Sequence, residues 1–310
     1  MIPIRDRRLP LAAMTASLAL LAPAATLACA CGCGVFDVGD ATLISGGPGG
    51  SAWLEDDWLD QTRNWSGSSR APAADNPDKR ISTDFVTLGG QYMFRSGFGV
   101  MVQIPFMDRS RITDDGAGRV TSRHTGLGDV RLTGVYSGFS PDMSTGITFG
   151  LKLPTGGFHH AGFDRDVELG TGTTDLTLGG YHLGSIGKEA RWNWFVQGVW
   201  DHPLGGREGY RPGGEADAAA GLAWAASQPT AKIAVSPMLQ LIGSVRARVG
   251  GWAAVPANSG YERLMIAPGV EFKAAAWKLY GDVEFPIYQR VNGNQLVAPT
   301  LFKVILNRSF

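Results

Sequence analysis

Leu301-Phe302-Lys303-Val304-Ile305-Leu306-Asn307-Arg308-Ser309-Phe310 closes the chain. The stretch alternates, with Lys303 on its polar face, and it stops on an aromatic residue. Period two turns successive side chains to opposite faces of a strand. It therefore reads as a strand with one apolar and one polar face.

The same pattern recurs upstream. Ile147, Phe149, Leu151 and Leu153 alternate with Gly146, Thr148, Gly150 and Lys152. Trp192, Trp194, Val196 and Trp200 alternate with Asn193, Gln197 and Asp201. Leu279, Val283 and Phe285 alternate with Lys278, Tyr280, Asp282 and Glu284, and Val130, Leu132 and Tyr136 with Asp129, Arg131 and Thr133. Strands are expected near 50–62, 81–95, 97–113, 125–138, 142–155, 171–184, 191–204, 213–226, 230–246, 259–273, 276–291 and 295–310. Most run to about 12–16 residues, beyond the five or six usual in soluble sheets. A tilted membrane strand needs roughly 9–11 residues in lipid plus protruding ends.

The connections alternate in length. Short ones lie at Arg95-Ser96-Gly97, Ser140-Pro141-Asp142, Gly187-Lys188, Gln228-Pro229 and Ala274-Ala275, and longer ones at 63–79, 114–124, 156–170, 205–212 and 247–258, with a modest one at 292–294. Membrane barrels pair short periplasmic turns with longer external loops. This places the loops holding His159 and Trp252 outside and gives an even count of twelve. In lipid every backbone polar group must be satisfied internally, so a spanning chain is helical or a closed barrel. The expected fold is an all-β transmembrane antiparallel β-barrel over residues 50–310.

Composition agrees. Basic and acidic residues number 28 each, so no charge excess points to nucleic acid. Mean hydropathy is −0.03, too polar for a helical membrane protein and suited to a wall with one polar face. The start reads as a signal peptide over 1–30. Arg5, Arg7 and Arg8 precede an apolar run from Leu11 to Ala25, and Ala28-Cys29-Ala30 fits a cleavage site. A Cys/Gly-rich periplasmic segment, 31–49, follows. Its Cys31 and Cys33 suit a disulfide or a soft metal ion.

Gly126-Leu127-Gly128-Asp129-Val130-Arg131-Leu132, Leu151-Lys152-Leu153-Pro154-Thr155-Gly156 and Glu168-Leu169-Gly170-Thr171-Gly172-Thr173-Thr174-Asp175-Leu176 carry a resemblance. With Val102-Gln103-Ile104-Pro105-Phe106 and Arg109, they resemble the phenol-degradation MetA-pathway family of outer-membrane transporters. The resemblance implies a barrel channel for small molecules in the bacterial outer membrane. Barrels of that membrane typically end on an aromatic residue, so Phe310 is the expected assembly signal. The expected partners are outer-membrane lipid, the barrel-assembly machinery through the last strand, and an unidentified small permeant.

The inner face is expected to present Asp129, Arg131, Lys152, Asp175, Asp217, Arg246, Glu271, Lys278, Asp282, Glu284 and Lys303. Such a mixed-charge lining either sets selectivity as a pore or pairs across the lumen and plugs it. Lys152 and Arg131 are expected as unpaired lumen cations. Gly128, Gly156, Gly170 and Gly172 suit bends or close backbone approach. The nine Trp residues suit interface girdles or lumen filling. His159, His160, Asp164 and Asp166 share one loop, where a transition metal is the alternative to simple solvation. No cofactor is expected. The five His residues sit in no Ser-rich context that resembles the outer-membrane phospholipase, so no enzyme is expected. A structural or metal-associated barrel without transport and a hydrolase are the alternative readings.

Overall fold

The computed structural model describes residues 29–30 and 47–310, except 115, 188–190 and 227–231. Nearly all of the stretch expected to be a leader, and Cys31 and Cys33, lie outside the described residues.

Twelve antiparallel staves form one closed wall. They are β1 Gly49–Gln61, β2 Asp78–Met93, β3 Phe98–Asp114 and β4, in two pieces, Arg119–Leu127 and Arg131–Tyr136. Next come β5 Thr145–Lys152, β6 Asp175–Ile186, β7 Trp192–Pro203 and β8 Glu215–Trp224. The last four are β9 Ala234–Arg246, β10 Tyr261–Ala274, β11 Trp277–Val297 and β12 Leu301–Ser309. Each pairs with its sequence neighbour, and β12 pairs with β1 from Leu301↔Leu59 to Ser309↔Ser51. No helix is long and apolar enough to cross a membrane.

Alternation decides the two surfaces. Leu54, Leu88, Ile104, Phe149, Leu241 and Val304 are all exposed, while their neighbours along the chain turn inward. An outer apolar surface of this kind is stable against hydrocarbon. The interior holds both polar groups and an apolar cluster built on Leu59, Phe195, Ile242, Tyr261, Met265 and Val291.

The terminal residue helps close the ring. Phe310 N donates to Gly50 O at 2.8 Å, and Gly50 N donates to Phe310 O at 2.9 Å. The Phe310 ring covers Gly50, where a Cβ would lie 2.3 Å from it.

Several boundaries differ from the sequence-based expectation. The strand expected at 125–138 begins at Arg119 and is interrupted at 128–130. Its first piece extends the β3 hairpin to Asp114↔Arg119, where a long loop over 114–124 was expected. The expected turn at 292–294 is an irregularity within β11, whose register shifts between Val291 and Asn294 around Gly293 at φ 62°. The connection lies at 298–300 instead.

The tryptophans divide. Trp58, Trp192, Trp200, Trp224 and Trp277 are exposed on the outer surface, and Trp252 projects from a loop at 86% exposure. Trp53 is buried inside, against Tyr280 and Ile305, and Trp65 packs on the interior cluster, so neither belongs to a girdle. Trp53 lies over Gly89, where a Cβ would meet its ring at 2.0 Å. Gly89→Val should therefore displace the indole and lower stability by about 1–3 kcal/mol through overpacking. Near-ultraviolet circular dichroism and urea unfolding check this. An unshifted urea midpoint with an unchanged Trp signal would contradict the packing described.

Candidate functional site

The chain between β5 and β6, residues 153–174, folds into the barrel and straps across it. Its polar, Gly-rich ends frame the run Val167-Glu168-Leu169, whose three side chains are buried. Val167 packs with Ile81 and Leu296 on the inner wall.

Three inward side chains hold the strap. Arg109 on β3 is 2% exposed and donates through Nη1 to the carbonyls of Val167 at 2.8 Å and Glu168 at 2.9 Å. Its Nε donates to Thr83 Oγ1 at 3.0 Å. Two residues on, Arg111 donates to Gly162 O at 3.1 Å and pairs with Asp164 at 2.5 Å and Asp78 at 2.7 Å. Asp129, at the interruption of β4, takes the strap's two ends. It accepts from Gly156 N at 3.0 Å, Thr171 N at 2.8 Å and Thr171 Oγ1 at 2.7 Å. Interrupting β4 thus frees a carboxylate for this clasp.

The two ends of the strap touch backbone to backbone. A Cβ on Gly170 would lie 2.5 Å from the Gly156 carbonyl oxygen, and one on Gly156 would lie 2.7 Å from the Gly170 Cα. Here glycine permits close approach, which bending alone would not require.

Below the strap is a cavity of about 120 Å³. Phe85, Pro105, Met107 and Leu169 line it from β2, β3 and the strap. Charges line it from β4 to β9. Arg131 pairs with Asp201 at 2.8 Å, and Lys152 with Asp175 at 2.5 Å and Asp129 at 4.0 Å. Arg246 Nε stands 4.0 Å from Glu215 Oε2, while Glu215 Oε1 accepts from Ser244 and Tyr261. Lys152 and Arg131 are therefore ion-paired rather than the isolated cations expected, because the neighbouring staves bring carboxylates to the same level.

A second charged group lies on β11, β12 and β1. Lys303, 1% exposed, meets Glu55 at 2.9 Å and Asp57 at 3.5 Å. In the register it sits between Asp57 and Asp282. Asp282 accepts from Tyr280 at 2.5 Å and Gln240 at 3.2 Å, and Glu284 is buried nearby. Asp217 is buried on β8. Glu271 and Lys278 line a wider opening of about 580 Å³ at the end with the short turns, together with Asn193, Phe195 and Met238.

Sequence reasoning missed Arg111, Glu168, Glu55, Asp57, Glu215 and Arg263 as interior residues, and it did not give Arg109 its clasping role. In Leu54-Glu55-Asp56-Asp57-Trp58 acids fall on both faces, which hides the alternation. For Arg109 and Arg111 the signal was present, since both continue the inward parity of Gln103.

The residues of the candidate metal loop separate. His160 pairs with Glu168 at 2.5 Å, and His159 with Glu208 at 2.7 Å. Among the described residues no group of three or more His, Cys, Asp or Glu could hold a metal ion.

No protein-family model matches the chain, and no curated protein does. Solved structures do. An outer-membrane channel from Pseudomonas putida F1 superposes with a TM-score of 0.63 at 13% identity, covering 85% of this chain and 96% of that one. The β domain of the Bordetella autotransporter BrkA gives 0.54 at 13% identity, covering 84% and 100%. At such identities the likeness shows a shared fold, that of outer-membrane barrels.

Proposed function

We propose that the protein is an outer-membrane channel for small molecules, working by passive diffusion through a mixed-charge lumen narrowed by the 153–174 strap. The observation that carries this reading is the distribution of space inside the barrel. The side formed by β10 to β12 and β1 is packed with the Lys303 group and most of the apolar cluster, which extends through Ala219 and Ile242 to Phe195 on β7. On β4 to β7 Val135, Tyr181 and Phe195 are buried, but Thr148, Gly150, Gly179 and Gln197 are smaller inward residues that are not fully buried. They lie between the cavity below the strap and the wider opening at the other end. A lumen serving only as a structural core would be filled on both sides.

The resemblance of the Gly126–Leu132 and Glu168–Leu176 stretches to the MetA-pathway transporters supports the same class, without transferring phenol as the permeant. In this reading the short turns face the periplasm and the strap closes the external mouth. A cysteine at Ser140 that labels from outside intact cells would reverse that orientation.

The refolded protein in a planar bilayer should conduct ions. Thr148→Trp, which places an indole in the open side of the lumen, should reduce the single-channel current severalfold without preventing folding. Conductance indifferent to this substitution would place the path elsewhere, and a wild type that never conducts would favour a structural barrel.

A further inference from the structure

The opening of about 580 Å³ at the end with the short turns is a cup of two layers. Its rim is polar. Asn193 on β7, Ser236 and Glu271, paired across β9 and β10, and Lys278 on β11 line it. Further in, the wall turns apolar. Leu183 and Phe195, paired across β6 and β7, and Met238 on β9 line this deeper layer. Leu183 and Met238 are only partly buried, so they present apolar surface to the space, backed by the buried Phe195. Lys278 stands diagonally across the β10–β11 ladder from Glu271 and lies in the fields of Glu271 and Lys273. Asp142 lines the cup from the turn between β4 and β5, across the barrel from this group, where it accepts from Ser144 N at 3.1 Å.

We propose that this cup binds a small zwitterion with an apolar body, an α-amino acid with an apolar side chain in chemical class. The inference deepens the channel reading and rests on it. Ligand pockets of roughly 300–1,000 Å³ are mostly apolar, with a few polar groups that set orientation, and the cup has that size and that division. Glu271 and Lys278 attract one another, so neither is an open charge. A ligand of one sign would draw one of them away and leave the other without its partner. A zwitterion entering between them meets Glu271 with its ammonium and Lys278 with its carboxylate, and no charge is left alone. Diagonal neighbours on antiparallel strands lie about 7–8 Å apart, so two long side chains there can close on a head group held between them. The Ser236 hydroxyl and the Asn193 amide offer neutral hydrogen bonds to the same head. The ligand's side chain then points into the barrel, onto Leu183 and Met238, where leaving water stabilises it.

Four probes test the site. L-phenylalanine carries both charges and a ring, 2-phenylethylammonium lacks its carboxylate, 3-phenylpropanoate lacks its ammonium, and glycine lacks its ring. Each is titrated calorimetrically into the refolded full chain and added to the conducting channel. L-phenylalanine should bind about tenfold tighter than each of the others, a difference of about 1.4 kcal/mol, and should reduce the current at lower concentration than they do. Glu271→Gln should erase its advantage over 3-phenylpropanoate, and Lys278→Met its advantage over 2-phenylethylammonium. Any of the other three probes binding as tightly as L-phenylalanine overturns the proposal, as do advantages that survive both substitutions. If neither variant folds, the wild-type ranking of the four probes decides. Conductance that no probe alters, with no heat of binding, overturns this site and leaves the channel standing. The expected ranking in a chain that never conducts overturns the channel and leaves the site.

Discussion

Arg109→Met should raise single-channel conductance severalfold and make the current noisier. The substitution preserves the length and apolar stem of the side chain and removes the donors that hold the strap. Two carbonyl contacts at 2.8 and 2.9 Å are lost. Hydrogen bonds from a charged donor contribute about 1.5–3 kcal/mol each, and the carbonyls of Val167 and Glu168 lose their charged donor inside the barrel. The strap keeps the Arg111 and Asp129 contacts, so it loosens at its middle while its ends stay clasped. Gly170→Val attacks the other attachment. Its side chain has no room against the Gly156 backbone, so the ends must part. The two substitutions share no contact but should produce the same change in current. Agreement between them identifies the strap as the constriction. Unchanged conductance in both, with folding confirmed by heat-modifiable migration, would show that ions pass without meeting it.

The wall was legible in the sequence because its physics is local. Lipid requires an apolar side chain at every second position, and Ile147-Thr148-Phe149-Gly150-Leu151 states that requirement in five residues. The same parity was the ground for expecting charges on the inner face. The strap was not legible, because nothing local distinguishes a loop that folds inward from one that stands in water. Residues 153–174 are rich in Gly, His and Asp, the composition of an exposed loop, and their destination depends on Arg109 and Arg111 more than forty residues earlier. Parity placed Lys152 and Arg131 inside but could not reveal their partners. Asp201 reaches Arg131 from a stave three positions round the barrel, a relation set by closure rather than by spacing. The interruption of β4 was hidden for a related reason. Gly128-Asp129-Val130 continues the alternating pattern, and only the strap's demand for the Asp129 carboxylate bends the chain away from the ladder.

Lys303→Met should destabilise the barrel more than any other single change within its charged interior. The ammonium is 1% exposed and lies between the carboxylates of Glu55 and Asp57, with Asp282 on the adjoining stave. Methionine preserves the volume but leaves these acids without their shared cation. Breaking a buried pair by removing one partner costs about 3–5 kcal/mol, more than the pair itself contributes, because the remaining charge stays desolvated. The residue also lies on the strand that closes the ring, where β12 pairs with both β11 and β1, so the loss falls on closure. Urea unfolding of the protein refolded in lipid should show the lower stability. The double variant Lys303→Met with Glu55→Gln should recover part of it, since one uncompensated charge has gone. If the single variant lost less than about 1 kcal/mol, or the double variant lost the sum of its parts, the charges would be hydrated from the lumen rather than bound to one another. In that case the open space would extend across the β11–β1 side, and the conducting path would not be confined to β4 to β7.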